Sequence, residues 1–269
     1  MEHEKLDAVE DEPTYWHYSF PEMAKYDIPA FIAAIREETG YQKKVRYIGT
    51  SLGTTQAFYA LQAEHTKQFM IENVHSVTAL APVIVPNVDS MFEMSLLHYD
   101  AYKTLLESLH SENQVFGPRF DERVDDVCKL FKLLGARDTC DTLKHLNDSA
   151  EDGWEAVPTR LLLHYSQNYL SNRFQEFSEC WGILACHKSK QIDLSEITDV
   201  PINFLFGTND DLASIEFQKE LVYEIQAPTT VAMVYGFGHH DFMNGQPNKN
   251  LHKMIFKALD GKLKSVWKW

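Results

Sequence analysis

The chain has 269 residues, 44% of them hydrophobic, enough to bury one large core with or without an inserted region. Its 39 acidic against 25 basic residues give a formal charge of −14, which argues against a nucleic-acid partner and leaves no basic surface for anionic membranes. No apolar run reaches the length of a membrane-spanning helix, and the acidic opening M-E-H-E-K-L-D-A-V-E-D-E-P lacks the apolar segment of a signal peptide, so the chain as written reads as cytosolic.

Taken in chain order, Ser19-Phe-Pro-Glu22 has the form of a capping box, and Ile28, Phe31, Ile32 and Ile35 follow at helical spacing until Gly40. This predicts a helix with those four residues as its apolar stripe. Residues 45–48, V-R-Y-I, predict a buried parallel strand. Next comes G-T-S-L-G at 49–53, then residues 54–63 with Phe58 and Leu61 at helical spacing and no breaker. Strand, G-x-S-x-G and helix in that order is the sequence form of a nucleophile elbow. Its sharp turn lifts a serine Oγ clear of the sheet, and the glycines on either side leave room for a strained backbone. Ser51 is thus the candidate nucleophile and the Leu52 amide a candidate oxyanion donor. The same pentapeptide also occurs in ordinary Gly-Ser turns, so its meaning rests on this context.

Residues 76–85 predict the next strand, stopped by Pro86. From 87 to 191 the pattern turns helical and amphipathic, with Met91, Met94, Leu96 and Leu97, then Val124, Val127, Leu130 and Phe131. The expected organisation is a core of residues 1–86 and 192–269 with 87–191 inserted as a helical cap. Such Met and Leu stripes suit a plain core as well as a lipid-facing lid.

A serine nucleophile needs a base and an orienting acid, which in an α/β-hydrolase follow in the order Ser, Asp or Glu, His. Residues 201–210, P-I-N-F-L-F-G-T-N-D, predict a strand that delivers Asp210 just past its end, with Asp211 as competitor. Residues 230–242, T-V-A-M-V-Y-G-F-G-H-H-D-F, predict another strand ending before His239, the candidate base, with His240 as competitor. Other readings stay open: Asp210 as the cap of a helix starting near Ser214, and His239, His240 and Asp241 as a solvated turn or metal ligands. Adjacent residues do not converge easily on one ion and no metal motif occurs elsewhere, so no metal and no cofactor are expected. Cys128, Cys140, Cys180 and Cys186 stand at no metal spacing and leave thiols or disulfides open. Asn147-Asp-Ser is a glycosylation sequon, and the basic aromatic tail 262–269 reads as a packed or exposed terminus or a membrane contact.

These segments together resemble the acid lipase family of lysosomal and gastric lipases. Residues 15–32, Y-W-H-Y-S-F-P-E-M-A-K-Y-D-I-P-A-F-I, are similar to the family's segment before the nucleophile strand. L-A-P-V at 80–83, H-Y-S-Q at 164–167, G-T-N-D-D-L-A at 207–213 and H-H-D-F at 239–242 follow in the family's order, so the resemblance runs to about residue 259. It implies an α/β-hydrolase fold with a mostly parallel sheet and a helical cap, and it favours Asp210 over Asp211 and His239 over His240. It also implies a lipid ester substrate, a cap that meets the lipid interface, and a cap disulfide, for which Cys128 with Cys140 is the implied pair.

Two departures stand out. Thr50 occupies the position of the family's usual histidine, which implies altered packing more than lost chemistry. The family also carries a long segment ahead of this point, holding a signal peptide, the first half of the sheet and an H-G oxyanion loop. Residues 1–39 contain no glycine for such a loop, and loss of one oxyanion donor costs about a hundred- to a thousandfold in turnover. The expectation is either an N-terminally truncated chain or fragment, or a chain whose bare first-strand edge another chain covers. As the tail of a longer acid lipase it would be secreted or lysosomal. The expected function is a serine hydrolase of carboxylic esters, triacylglycerol or cholesteryl ester, through a Ser51–His239–Asp210 triad. The alternatives are a non-catalytic binding or assembly subunit and a thioesterase or small-ester hydrolase.

Overall fold

The computed structural model describes residues 15–86, 114–115, 157–178, 189–244 and 248–266, and elements are numbered within that set. The strands are β1 (Val45–Thr50), β2 (Val74–Leu80), β3 (Gln114–Val115), β4 (Val157–Pro158), β5 (Ile202–Gly207) and β6 (Thr229–Val234). The helices are α1 (Phe20–Thr39), α2 (Leu52–Gln62), α3 (Lys67–Asn73), α4 (Thr159–Ser171), α5 (Ile215–Glu224), α6 (Asp241–Asn244) and α7 (Lys249–Leu259). Among the described residues no helix is long and apolar enough to cross a membrane.

The chain divides into two compact units: Phe20–Asn87, Arg173–Glu176 and Lys190–Trp269 form one, and Met1–Ser19, Val88–Asn172 and Phe177–Ser189 the other. The first contains a parallel sheet in the order β1-β2-β5-β6. All six residues of β5 are buried, and its sequence I-N-F-L-F-G is accordingly apolar almost throughout, as expected of a parallel strand covered on both faces. Phe58 of α2 stacks on Phe204 of β5, with centroids 5.5 Å apart. A second cluster unites Leu80, Leu205, Val234 and Phe237 with Leu251 of α7. The β1-to-β2 and β5-to-β6 crossovers pass through helix, the connection that parallel pairing demands.

Several details differ from the sequence reading. The stripe that α1 buries is Phe20, Ala24, Ile28 and Ile32. Phe31 and Ile35, expected in the stripe, are 65% and 44% exposed, because the line that packs against α2 steps by four residues and leaves them on the adjacent line. The strand expected over residues 76–85 spans Val74–Leu80 and ends where Ala81 turns to φ 44°. Residues 83–85 are buried yet irregular, because side chains take the place of a neighbouring strand. Thr54 Oγ1 accepts from the Val83 amide at 2.9 Å, Thr55 Oγ1 donates to Val83 O at 2.7 Å, and Gln218 Oε1 accepts from the amides of Ile84 and Val85 at 3.1 and 3.3 Å. Gln218 Nε2 also donates to Val85 O.

In the other unit, β3 pairs antiparallel with β4, and α4 follows. Ser19 Oγ lies 2.8 Å from His164 Nδ1, and Arg160 Nη1 donates to the carbonyl of His17 at 3.4 Å. These bonds accompany the grouping of Ser19 with α4, whereas the sequence reading kept residues 1–86 together. Most of the expected cap, all four cysteines and Asn147 lie outside the described residues.

Candidate active site

β1, β5 and β6 are parallel, so their carboxyl ends lie at one edge of the sheet, where each is followed by one candidate side chain. Ser51 follows β1 directly, with φ 51° and ψ −117°. A serine in that region costs about 1–3 kcal/mol and persists only when its surroundings enforce it. Here its amide donates to Leu80 O at 3.1 Å, and its carbonyl accepts from the Thr54 amide at 2.9 Å and from Thr54 Oγ1 at 2.6 Å. The two glycines of G-x-S-x-G contribute unequally. A Cβ on Gly49 would sit 2.7 Å from Gly53 O and 2.8 Å from Tyr47 Cε1, whereas one on Gly53 would meet nothing closer than Tyr47 Oη at 3.6 Å. Only the first glycine is demanded by close approach.

Tyr47 completes the elbow from below. Its hydroxyl donates to Gly53 O at 2.7 Å, and burial pushes its phenol up to about 12, so it remains a donor across the working pH range. Tyr47→Phe is therefore expected to cost about 1 kcal/mol, roughly 2–4 °C in Tm, with a several-fold loss of any Ser51-dependent activity. Thermal melts and turnover on the same preparations check this, and identical values for both proteins would remove the bond from the account.

Asp210 emerges three residues past β5 and is 3% exposed, while Asp211 is exposed. Its Oδ1 accepts from the Ala213 amide at 2.8 Å, and its two oxygens lie 3.1 and 2.9 Å from His239 Nδ1. Asp210 therefore does not cap the helix that follows, whose N-cap is Ser214; its carboxylate braces the turn ahead of that helix and faces His239 at the same time. His239 Nε2 is 2.7 Å from Ser51 Oγ. The structure therefore brings Ser51, His239 and Asp210 into one hydrogen-bonded line.

The loop that carries His239 is fixed on both sides. Phe237 is buried and meets Phe242 edge to face at 5.2 Å, and the Gly238 amide donates to Asp241 Oδ2 at 2.7 Å. Asp241, considered from sequence as a possible ligand, thus shapes the loop. His240 stands 5.6 Å from His239, ring edge to face. Burial, aided by the adjacent imidazole of His239, holds its pKa below the usual histidine range and keeps it neutral at neutral pH. Among the described residues no group of three His, Cys, Asp or Glu is placed to hold a metal ion. The Leu52 amide opens α2, where no carbonyl within the helix can accept it.

The Ser19–His164 pair has the same residue types as a nucleophile and its base, but both side chains are fully buried, at 0% exposure. No substrate reaches that hydroxyl, and the pair is a packing contact. Tyr47 and Thr54 were missed by sequence reasoning, as was the loop-shaping role of Asp241. Each is an unremarkable polar residue whose role depends on where a backbone group lies in three dimensions.

A family model described as alpha/beta hydrolase fold matches residues 10–246. Gastric triacylglycerol lipase of Bos taurus is 31% identical over 250 residues, covering 87% of this chain and 62% of its own length. The Mus musculus gastric triacylglycerol lipase is 44% identical over 261 residues with the same coverage, and Homo sapiens lipase member K is 27% identical, covering 87% and 61%. The chain thus spans a little under two thirds of these relatives. Among solved structures, a monoacylglycerol lipase of Paleococcus ferrophilus superposes with a TM-score of 0.51 at 17% identity, covering 91% of this chain and 77% of that one, a likeness of fold.

Proposed function

The chain belongs to the alpha/beta hydrolase family, in its acid-lipase-like group, and from that premise we propose that it cleaves carboxylic esters of lipids through an acyl-enzyme on Ser51. The observation that carries this reading is the 2.7 Å contact from His239 Nε2 to Ser51 Oγ, with Nδ1 held by Asp210 at 2.9 Å. Ser51 Oγ attacks the ester carbonyl while His239 Nε2 takes its proton. Asp210 accepts the Nδ1–H bond and stabilises the imidazolium as it forms. The Leu52 amide donates to the oxyanion. His239 then returns the proton to the leaving alcohol, and water attacks the acyl-enzyme by the same steps to release the fatty acid. The names of the gastric relatives support a triacylglycerol substrate, and the resemblance to the acid lipases is what supports a secreted or lysosomal setting.

Labelling of the folded chain with a fluorophosphonate, read by intact mass and peptide mapping, tests the assignment. One adduct on Ser51, absent from Ser51→Ala, is the expected result. A folded chain that takes no label would overturn it in favour of a non-catalytic binding role. Comparing turnover across acyl chains then separates a lipase, which favours long chains, from a small-ester enzyme.

A further inference from the structure

The carboxyl-terminal stretch carries a charge opposite to that of the chain. Residues 249–269 hold six lysines and a single acidic residue, Asp260, whereas residues 1–248 hold 38 acidic against 19 basic ones. The average of −14 conceals this basic end.

α7 turns the composition into a surface. Leu251, Met254 and Ile255 pack on the cluster of Leu80, Leu205, Val234 and Phe237, which fixes the rotation of the helix about its axis. The line turned outward is then Lys249, Lys253 and Lys257, at i, i+4 and i+8, with Phe256 beside it. All four are exposed, Phe256 by 68%. At 1.5 Å per residue the three lysines span about 12 Å of the axis. None of them has an ion-pair partner among the described residues. Asp260, the acid nearest in sequence, is engaged by Lys262 Nζ at 3.1 Å.

Solvation alone does not ask for this arrangement. Lysines four residues apart repel one another, and Lys249 stands at the positive end of the helix dipole with no acidic residue in the first turn. The outward faces of α1 and α5 mix their signs, with Lys25, Asp27 and Glu37 on one and Glu216, Lys219 and Glu220 on the other. A face of lysines with a large aromatic ring standing in it is the pattern of a helix that lies on an anionic lipid surface.

We propose that the outer face of α7 docks the protein on an anionic lipid bilayer, with Lys249, Lys253 and Lys257 over the headgroup anions and Phe256 entering the headgroup layer. The choice of a lipid surface over an acidic protein rests on the ester-cleaving reading of Ser51, whose substrate would lie in that surface, and on Phe256. Acidic residues elsewhere do not prevent docking, because repulsion is screened beyond a Debye length of about 8–10 Å, and they turn the other faces away. Leu251 packs on Phe237, two residues before His239, so the docked face adjoins the edge of the sheet that holds the triad.

Cosedimentation of the Ser51→Ala chain with sucrose-loaded vesicles, of phosphatidylcholine alone and of a three-to-one mixture with phosphatidylserine, tests the proposal. That chain consumes no vesicle lipid, so a failure of the ester chemistry leaves the result untouched. Binding at least tenfold tighter to the mixed vesicles is expected, and half-molar salt should abolish it. Each lysine near an anionic leaflet contributes about fivefold, so replacing Lys249, Lys253 and Lys257 together by glutamine should weaken binding at least tenfold. Phe256→Ser should weaken it several-fold. Replacing Lys25, Lys190 and Lys219 by glutamine removes the same charge elsewhere and should change nothing. If the α7 triple variant unfolds, Lys253→Gln decides, with a loss of about fivefold expected. No binding, equal binding to both vesicle types, or binding that the α7 lysine variants retain would overturn the proposal. Binding of polyglutamate without binding of vesicles would assign the face to an acidic protein and overturn it as well.

Discussion

Ser51→Ala is expected to lower kcat/KM for a medium-chain ester by on the order of a millionfold, and Asp210→Asn by about ten-thousandfold, with the double variant no worse than Ser51→Ala alone. The reason lies in a single line of bonds. Ser51 Oγ faces His239 Nε2 at 2.7 Å, and Nδ1 is bound to Asp210. An asparagine at 210 presents an amide that donates to Nδ1, so the ring proton moves to Nε2 and the nitrogen facing Ser51 stops being a base. The Oδ1 of that asparagine still accepts from the Ala213 amide, so the fold is retained and Tm should move little. Once the nucleophile is gone, the base has nothing to activate, which is why the losses do not multiply. Residual activity above a hundredth in Ser51→Ala, or losses that multiply, would place the chemistry elsewhere.

Gly207→Ala is expected to cost about 1–3 kcal/mol and at least a hundredfold in turnover. An added Cβ would lie 2.3 Å from Phe237 O and 3.0 Å from Phe237 C, both backbone atoms that cannot swing aside. The loops involved bear Asp210 and His239 and are stitched together. Asn209 N donates to Phe237 O at 2.9 Å, Thr208 N to Val234 O at 3.2 Å, and Gly236 N to Thr208 Oγ1 at 2.8 Å. Forcing Gly207 away from Phe237 separates the acid from the base by an appreciable fraction of a hydrogen-bond length. Gly53→Ala is the contrast, since its Cβ makes ordinary contact and alanine is the better helix former, by up to about 1 kcal/mol. Melting curves and turnover of the two variants check the pair of expectations; equal behaviour would mean that the Gly207 contact is readily relieved.

The strand ending before Asp210 and the one ending before His239 were legible because each is a largely apolar run broken at its carboxyl end by glycine or a turn. The strand leading into the elbow is where it was expected but is not buried as expected, since it lies at the sheet edge with Arg46 and Ile48 exposed. Local composition was enough for the first two. It failed where distant side chains decide. Residues 81–85, A-P-V-I-V, look like a continuation of β2, and what makes them a loop is Gln218, more than 130 residues away, answering their backbone groups. Phe31 and Ile35 suit a helical stripe as well as Phe20 and Ala24 do, and only the position of α2 selects between the lines. α7 was readable and passed over: Leu251, Met254, Ile255 and Ala258 keep helical spacing behind Asn248, whose Oδ1 accepts from the amides of Asn250 and Leu251. The register pairing of Arg46 with Ser76 has no sequence signal, since nothing local to either strand aligns β1 with β2.

The strained turn at Ser51 is held by a backbone bond to Leu80 at the end of β2, and Ala81, the next residue, is held in turn by Leu205 of β5. No stretch of neighbouring residues can hold the serine in that conformation alone. In kinetic terms the elbow belongs to the slow, high-contact-order part of the folding reaction: the chain has to close the long loop to β5 before the turn gains its last support. The nucleophile geometry is thus among the last features gained on folding and among the first surrendered when the sheet begins to open. The competence of the site reports on the zipping of the whole sheet, more sensitively than helix content does.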